Sequence, residues 1–164
     1  MKNKKIRRVK SQEPGTRPQR YLVDTSVLAK GKISRLFKTK LRGHLLIPNA
    51  AIAELENLAN RGQDIGFDGL EDIAKLHHLK NRVKITFVGE RPTGHQIKFA
   101  KSGEIDALIR GLAVKENAIL ITADKVQAKS AQAYGIKVFF IKTIVKEEKK
   151  KKFAFKFFPK KKKL

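Results

Sequence analysis

Four acidic residues stand at points of the sequence where a sheet-based fold would gather carboxylates. Asp24 ends an apolar run in YLVDTS, Asp124 follows another in LITAD, and Glu54 and Asp106 fall in the first turns of candidate helices. Each alone has an ordinary interpretation, because such acids cap helices or complement the helix dipole. Together they would repel each other, and a hard divalent cation such as Mg²⁺ or Mn²⁺ would remove the conflict. Such a site can activate water against a phosphodiester.

The acids converge only if the chain forms a parallel sheet covered by helices, and the hydrophobic pattern predicts that fold. Short apolar runs alternate with segments of helical period, as in α/β proteins. The candidate strands are Tyr21–Asp24, His44–Ile47, Val83–Val88, Ala118–Thr122 and Ile136–Ile141. The candidate helices are Thr25 to about Lys38 with an interruption at Gly31, Asn49–Asn60, Leu70–Leu79, a helix opened by Ser102 and Gly103, and Lys125–Tyr134. We therefore expect a three-layer α/β/α sandwich with its chemistry beyond the carboxyl ends of the strands.

The charge of the chain indicates a polyanionic partner. The sequence has 164 residues, with 38 Lys and Arg against 15 Asp and Glu, a formal net charge of +23. Composition divides it into a basic tail over residues 1–20, a body over 21–141 and a second basic tail over 142–164. The tails hold most of the excess, and nucleic acid is the leading partner class. In the first tail, Arg7 and Arg8 are candidate nucleic-acid contacts.

The second tail interleaves lysines with phenylalanines, which suits single-stranded nucleic acid. Lysines neutralise phosphates and aromatic rings stack on unpaired bases. An anionic membrane surface or a merely solubilising tail are the alternatives, although we expect no membrane partner. The candidate contacts are Lys149, Lys150, Lys151, Lys152, Phe153, Phe155, Phe157, Phe158, Lys160, Lys161, Lys162 and Lys163.

Several other classes of protein are excluded by composition and motif. The chain has no Cys, which removes disulfide scaffolds, Cys-ligated zinc and thiol nucleophiles. The four histidines lack zinc-site spacing, and neither a nucleophile elbow nor a phosphate-binding loop is present. No apolar run reaches the length of a membrane span and no signal peptide precedes the body, so we expect a cytoplasmic protein.

The strings VDTSVL, IPNAAIAEL, GEIDALIRGLA and AILITADKVQAKSAQAYGIKV, in that order, resemble the PIN-domain ribonucleases over essentially all of residues 21–141. The resemblance implies a five-stranded parallel sheet of order 3-2-1-4-5 and metal-dependent hydrolysis of single-stranded or structured RNA. The chain is most similar to PIN domains that begin archaeal proteins continuing into an ATPase and a KH module. Because it has no ATPase phosphate loop, we expect it to stand alone or to be truncated.

The resemblance also assigns the site residues. The catalytic acids would be Asp24, Glu54, Asp106 and Asp124, and the ligands of Mg²⁺ or Mn²⁺ would be Asp24, Asp106 and Asp124. Helical periodicity alone does not choose between Glu54 and Glu56, since both flank the apolar face of their helix. The resemblance selects Glu54.

Hydroxyl groups accompany these acids. Thr25 or Ser26 matches the hydroxyl position after the first acid, and Thr122 matches the one two residues before the last. They would hold a metal-bound water or orient a carboxylate, with simple capping as the alternative. Glu104 is a further candidate beside the site, reaching it from the first turn of its helix or facing solvent.

Three functional hypotheses follow. The first is a metal-dependent endoribonuclease whose basic tails bind the substrate. The second is a non-catalytic RNA-binding or ribosome-binding module on a PIN scaffold, and the third is a structure-specific nuclease acting on DNA. The resemblance also leaves a homodimer open. Short PIN toxins form another branch of similar length, but long basic tails argue against an antitoxin partner.

Overall fold

A computed structural model describes residues 17–101 and 103–142. The tail residues with predicted nucleic-acid contacts and Ser102 lie outside the described residues. The strands are β1 Arg20–Val23, β2 Gly43–Pro48, β3 Val83–Val88, β4 Ile119–Thr122 and β5 Val138–Phe140. The helices are α1 Thr25–Leu28, α2 Ile33–Thr39, α3 Asn49–Asn60, α4 Asp64–Leu76, α5 Gly94–Phe99, α6 Glu104–Lys115 and α7 Lys125–Ala133.

All five strands are parallel and lie in the order β3-β2-β1-β4-β5. This confirms the predicted α/β sandwich and its strand order. Successive residues of β2, Leu45, Leu46 and Ile47, are all fully buried, so helices cover both faces of the sheet. Strand order reverses between β1 and β4, which pair from Tyr21 opposite Ile119 onward. Ligands of open α/β sheets bind beyond the strand ends at such a point, and here Asp24 directly follows the end of β1 and Asp124 closely follows the end of β4.

The helical layer departs from the sequence prediction at α4. The sequence predicts this helix over Leu70–Leu79, whereas it begins at Asp64 and ends at Leu76. Gly66 and Gly69 lie inside α4 because they form its contact with α3. A Cβ built on Gly66 would lie 2.4 Å from the backbone nitrogen of Ala59. The absent side chains therefore let the two helices pack backbone to backbone.

Other boundaries shift by smaller amounts. The interruption predicted at Gly31 is confirmed, since the segment from Thr25 forms two helices, α1 and α2, on either side of Gly31, whose φ is +57°. A short helix that the sequence reading omits, α5, begins with a reciprocal capping box between Thr93 and Gln96. In the described part of the chain, no helix is long and apolar enough to cross a membrane.

Candidate active site

Asp24 lies beyond the carboxyl end of β1, immediately after the strand, with only 1% of its surface exposed. Two hydroxyl groups donate to the same carboxylate oxygen, Oδ2: Ser26 Oγ at 2.6 Å and Thr122 Oγ1 at 2.8 Å. The other oxygen, Oδ1, is buried and accepts no hydrogen bond from the described residues. A buried oxygen of this kind is costly and calls for a ligand, because buried polar atoms are nearly always paired.

The two hydroxyl groups also connect Asp24 to the turn after β4. Ser26 Oγ accepts a hydrogen bond from the backbone nitrogen of Ala123 at 3.0 Å, and Thr122 Oγ1 accepts one from the backbone nitrogen of Asp124, also at 3.0 Å. Thr122 is fully buried. Each hydroxyl thus links the carboxylate to the backbone of the neighbouring strand end, which fixes the orientation of Asp24 relative to Asp124.

Glu54 faces this centre from α3. Its Oε2 accepts a hydrogen bond from Thr25 Oγ1. Burial raises the pKa of Glu54, the bond from Thr25 opposes that shift, and the charges of Asp24 and Asp106 raise the pKa further. Glu56, which periodicity could not separate from Glu54, instead pairs with Arg91. The structure therefore brings Glu54, and not Glu56, beside Asp24.

Asp106 enters the site from the first turn of α6. Burial raises its pKa, the charges of Asp24 and Asp124 add to the increase, and the charge of Arg110 opposes it. Asp106 thus interacts electrostatically with acids on both sides of it. Like charges are concentrated here as the sequence predicts.

Asp124 completes the group from the N-terminus of α7. Its Oδ1 accepts the backbone N–H of Gln127 at 2.9 Å, so the capping interpretation holds for this residue, and the side chain remains exposed to solvent. Asp24 differs, since it occupies the N-cap position of α1 but its side chain makes no cap bond. The carboxylate of Asp24 is therefore not accounted for by capping.

Gln127 and Arg110 belong to the site and were missed by sequence reasoning. Gln127 is fully buried, donates from Nε2 to the backbone oxygen of Asp106 at 3.1 Å, and accepts from the guanidinium of Arg110. It thereby fixes α6 against α7 and sets Asp106 relative to Asp124. A sequence signal existed, because Gln three residues after an N-cap Asp is a capping-box pattern. The side chain of Gln127, however, bonds to α6 instead of reaching back to the cap.

Arg110 lies one helical turn after Asp106, and its side chain is half-buried. Its guanidinium carbon stands 5.9 Å from the ring centroid of Tyr134. Within the described residues, Arg110 forms none of the ion pairs, which involve other side chains. The guanidinium therefore lowers the negative potential near Asp106 while several of its N–H groups stay available to a ligand.

Glu104 does not join the acids around Asp24. It is exposed, and its Oε2 accepts a hydrogen bond from the backbone nitrogen of Lys101 at 3.1 Å, which closes the turn before α6. It borders a groove of about 890 Å³ that Phe99 and Leu108 also line. A role for Glu104 beside the site stays a prediction.

The donor set suits a hard divalent cation. All four acids offer carboxylate oxygens, and Oδ1 of Asp24 is a buried oxygen without a partner in the described residues. Across residues 17–101 and 103–142, no three His, Asp or Glu side chains are grouped closely enough to enclose an ion. Mg²⁺ does not require such an enclosure, because it commonly binds one or two carboxylates and keeps several water molecules. The residues present therefore fit an ion held by Asp24 and a neighbouring acid.

Comparison with known proteins agrees with this geometry. A model of the PIN domain family matches residues 21–133. The chain belongs to the PIN-domain family. Its sequence is 41% identical, over 133 residues, to an uncharacterized KH and PIN-domain containing protein of Methanocaldococcus jannaschii, covering 79% of this chain and 21% of that protein. The chain thus spans about a fifth of the length of this relative. The match confirms the predicted resemblance to PIN domains that occur with KH modules.

A solved structure is similar over the same region. It is a domain of a functionally unknown protein from the same organism, with a TM-score of 0.72 and 41% sequence identity, covering 76% of this chain and 92% of that domain. PIN domains are generally nucleases and typically use divalent metal ions. The family therefore agrees with the class of chemistry that the acids of the site predict.

Proposed function

We propose that this protein is a metal-dependent endoribonuclease. The observation that carries the proposal is the state of Asp24, whose carboxylate is buried, fixed through Oδ2 by two hydroxyls, and left with Oδ1 unpaired by any described residue. Three further carboxylates stand around it, and the pKa values of Glu54 and Asp106 are raised by burial and by their acidic neighbours. Perturbed acids in a crevice are typical of catalytic sites.

Asp24, Asp106 and Asp124 are the proposed ligands of Mg²⁺ or Mn²⁺, with Asp24 and one of the other two in direct contact with the ion and the third bound through a water molecule. When bound, such an ion makes water more acidic and offsets negative charge on a phosphodiester. Ser26 and Thr122 hold Asp24 in one orientation, so little reorganisation accompanies binding. Gln127 maintains the spacing between the two acids contributed by α6 and α7.

Glu54 has a separate proposed role. Glu54, which is not among the proposed ligands, is proposed to exchange a proton near the reacting phosphate. Burial and its acidic neighbours raise its pKa, and Thr25 orients its carboxylate. Arg110, with N–H groups left available beside Asp106, is placed to contact a phosphate oxygen. Arg110 thereby adds one cationic group to the acidic site.

RNA is the proposed substrate because the chain is strongly basic and because a relative contains a domain of a nucleic-acid-binding type. The chain carries a net charge of +23, and the tails over residues 1–20 and 142–164 are proposed to contribute affinity through counterion release. The relative from M. jannaschii is described as containing a KH domain, and KH domains bind nucleic acid. Association with ribosomes and homodimer formation stay predictions.

A non-catalytic RNA-binding module is the second candidate. It is favoured by the finding that, among the described residues, no three potential ligands are grouped to hold an ion. Under this alternative the acids would be retained for structure alone. A DNA-directed nuclease is the third, and it differs from the first only in the sugar of the substrate.

Cleavage of end-labelled RNA and DNA, with Mn²⁺ or with EDTA, tests the proposal. The variant Asp24→Asn keeps the size of the side chain and removes its charge, while Asp72→Asn changes a second buried aspartate, 3% exposed, that bonds to Ser34 at α2. We expect Mn²⁺-dependent RNA cleavage that Asp24→Asn abolishes and Asp72→Asn retains. RNA binding without cleavage under any metal would instead support the second candidate, and cleavage of DNA alone would support the third.

A further inference from the structure

The exposed cations of the body are concentrated away from the acidic cluster. Residues 30–42 contain six Lys and Arg and no acid, and residues 75–84 contain four Lys and Arg and two His, again with no acid. Solvated faces of soluble proteins usually intersperse charges of both signs. Two acid-free segments of this kind therefore call for an explanation beyond solubility.

The two segments adjoin in space. Arg35 and Lys38 of α2 line a groove of about 610 Å³ together with Lys75 and His78 at the end of α4. Arg82 Nε donates to the backbone oxygen of Phe37 at 2.9 Å, which holds the α4–β3 connection against the end of α2. The groove thus has basic residues on both of its walls.

Strand register extends this surface along one edge of the sheet. Gly43, the first residue of β2, pairs with Val83, the first residue of β3, so the segments leading into both strands lie side by side. Burial lowers the pKa of His44, the charges of Lys84 and Arg20 lower it further, and the charge of Glu116 opposes this decrease. We define the basic surface as the following exposed residues: Arg35, Lys38, Lys40, Arg42, Lys75, Lys80 and Lys84.

The basic surface lies at the opposite edge of the sheet from the acidic cluster. Its segments precede β2 and β3, whereas Asp24 and Asp124 follow β1 and β4. Since β2 has six residues, the two edges are about 20 Å apart. A ligand that contacts both must extend well beyond a single nucleotide.

The chemistry of the surface favours a phosphate backbone over a lipid membrane. A helix that lies on a membrane exposes an apolar face alongside its cations. Here Ile33, Phe37 and Leu76 are fully buried and Leu41 is nearly so. The surface therefore offers mainly charge, and the apolar side chain that lines its groove, Leu79, is half-buried. Of its cations, Lys75 is paired with Glu71 at 3.0 Å, so the others carry most of the attraction.

We infer that the basic surface binds the phosphate backbone of the RNA that the acidic cluster cleaves, about 20 Å from the cut. The inference rests on the proposed function for the identity of the polymer. It deepens that function by naming the substrate class: an RNA long or folded enough to pass from one edge of the sheet to the other. Cleavage of short fragments would then be weakened by the loss of this contact.

The test uses the full chain and a labelled RNA hairpin in EDTA, with binding measured by fluorescence anisotropy over a series of salt concentrations. One variant combines Lys38→Gln, Lys40→Gln and Lys84→Gln. The matched control combines Lys115→Gln, Lys129→Gln and Lys137→Gln, which are exposed and lie on the β4 and β5 half of the molecule. Both variants lose the same net charge, and thermal melting checks that both fold.

We expect the plot of the logarithm of the RNA-binding constant against the logarithm of salt concentration to become less steep in the surface variant. The magnitude of its negative slope should decrease by about 2, since each lost phosphate contact removes about 0.7 to 0.9. The control should keep the wild-type slope. Equal slopes in the two variants, or a surface variant that loses binding to phosphatidylserine vesicles but not to RNA, would overturn the inference.

Cleavage in Mn²⁺ separates this inference from the proposed function. If the wild-type protein does not cleave RNA but the surface variant still shows the reduced slope, the nuclease proposal is refuted and the RNA-binding surface is supported. If the wild-type protein cleaves RNA but the surface variant has the wild-type slope, the RNA-binding surface is refuted and the nuclease proposal is supported.

Discussion

Replacement of Gly66 by alanine tests how α4 positions α3 and therefore Glu54. A Cβ at Gly66 would lie 2.4 Å from the backbone nitrogen of Ala59 and 2.5 Å from the backbone oxygen of Leu55. Both obstructing atoms belong to the backbone of α3, so no side-chain rotation relieves the contact. Restoring ordinary contact requires the helices to separate by about 1 Å.

The net effect on stability is a difference between two opposing terms. Overpacking of this kind costs about 1 to 3 kcal/mol, and the better helix propensity of alanine returns up to about 1 kcal/mol. We expect Gly66→Ala to lower the free energy of unfolding by up to about 2 kcal/mol, and the melting temperature by about 2 to 4 °C for each kcal/mol lost. Because Leu55 follows Glu54 directly, Mn²⁺-dependent cleavage should also fall.

Gly111→Ala is the matched control, measured by thermal denaturation under the same conditions. Gly111 lies within α6, and a Cβ there would meet no atom within 4 Å. Its replacement keeps only the propensity term and should raise stability by about 0.5 to 1 kcal/mol. If both variants changed stability in the same direction, the assigned packing of α3 on α4 would be wrong.

Three further predictions concern the acidic cluster. Thr122→Val removes a hydrogen bond to the charged Asp24 and should destabilise the protein by about 2 to 3 kcal/mol in urea titration, so unchanged stability would contradict the bond. In EDTA, the folded state holds the protons of Glu54 and Asp106 more tightly than the unfolded state; stability relative to Glu54→Gln should therefore fall as pH rises from about 4 through the raised pKa of Glu54. If the wild type instead became more stable relative to Glu54→Gln as pH rises, the pKa of Glu54 would not be raised in the folded state. Arg110→Gln removes the charge that lowers the pKa of Asp106, so the acidic limb of the pH–rate profile should move to higher pH, which pH-dependent cleavage rates measure.

The order of the sheet and the meeting of the acids followed from local signals. Apolar runs mark the buried strands, and the acids after β1 and β4 converge because strand order reverses between those strands. The choice between Glu54 and Glu56 could not be made by periodicity, since both flank one apolar face. It depends on tertiary partners, Thr25 for one and Arg91 for the other.

The features that the sequence did not predict depend on how two helices pack against each other. Helix propensity predicts that Gly66 is unfavourable within a helix. Its role is to let the backbone of α3 pack closely against α4, and no local sequence pattern predicts that contact. Gln127 reads as a capping residue, and its bonds to α6 require knowledge of the α6–α7 contact. Only α5 had a sufficient local signal, the Thr93–Gln96 capping box.

Three aspartates near helix N-termini show why the cluster is more than structural. Asp72 gives both oxygens to Ser34 at the start of α2, and Asp124 gives one to the backbone of α7 and exposes its side chain to solvent. Asp24 is as buried as Asp72, yet its Oδ1 accepts nothing from the described residues. An unpaired buried oxygen costs about 1 to 3 kcal/mol. A purely structural aspartate would avoid that cost as Asp72 does, so the arrangement at Asp24 favours a bound cation as its partner.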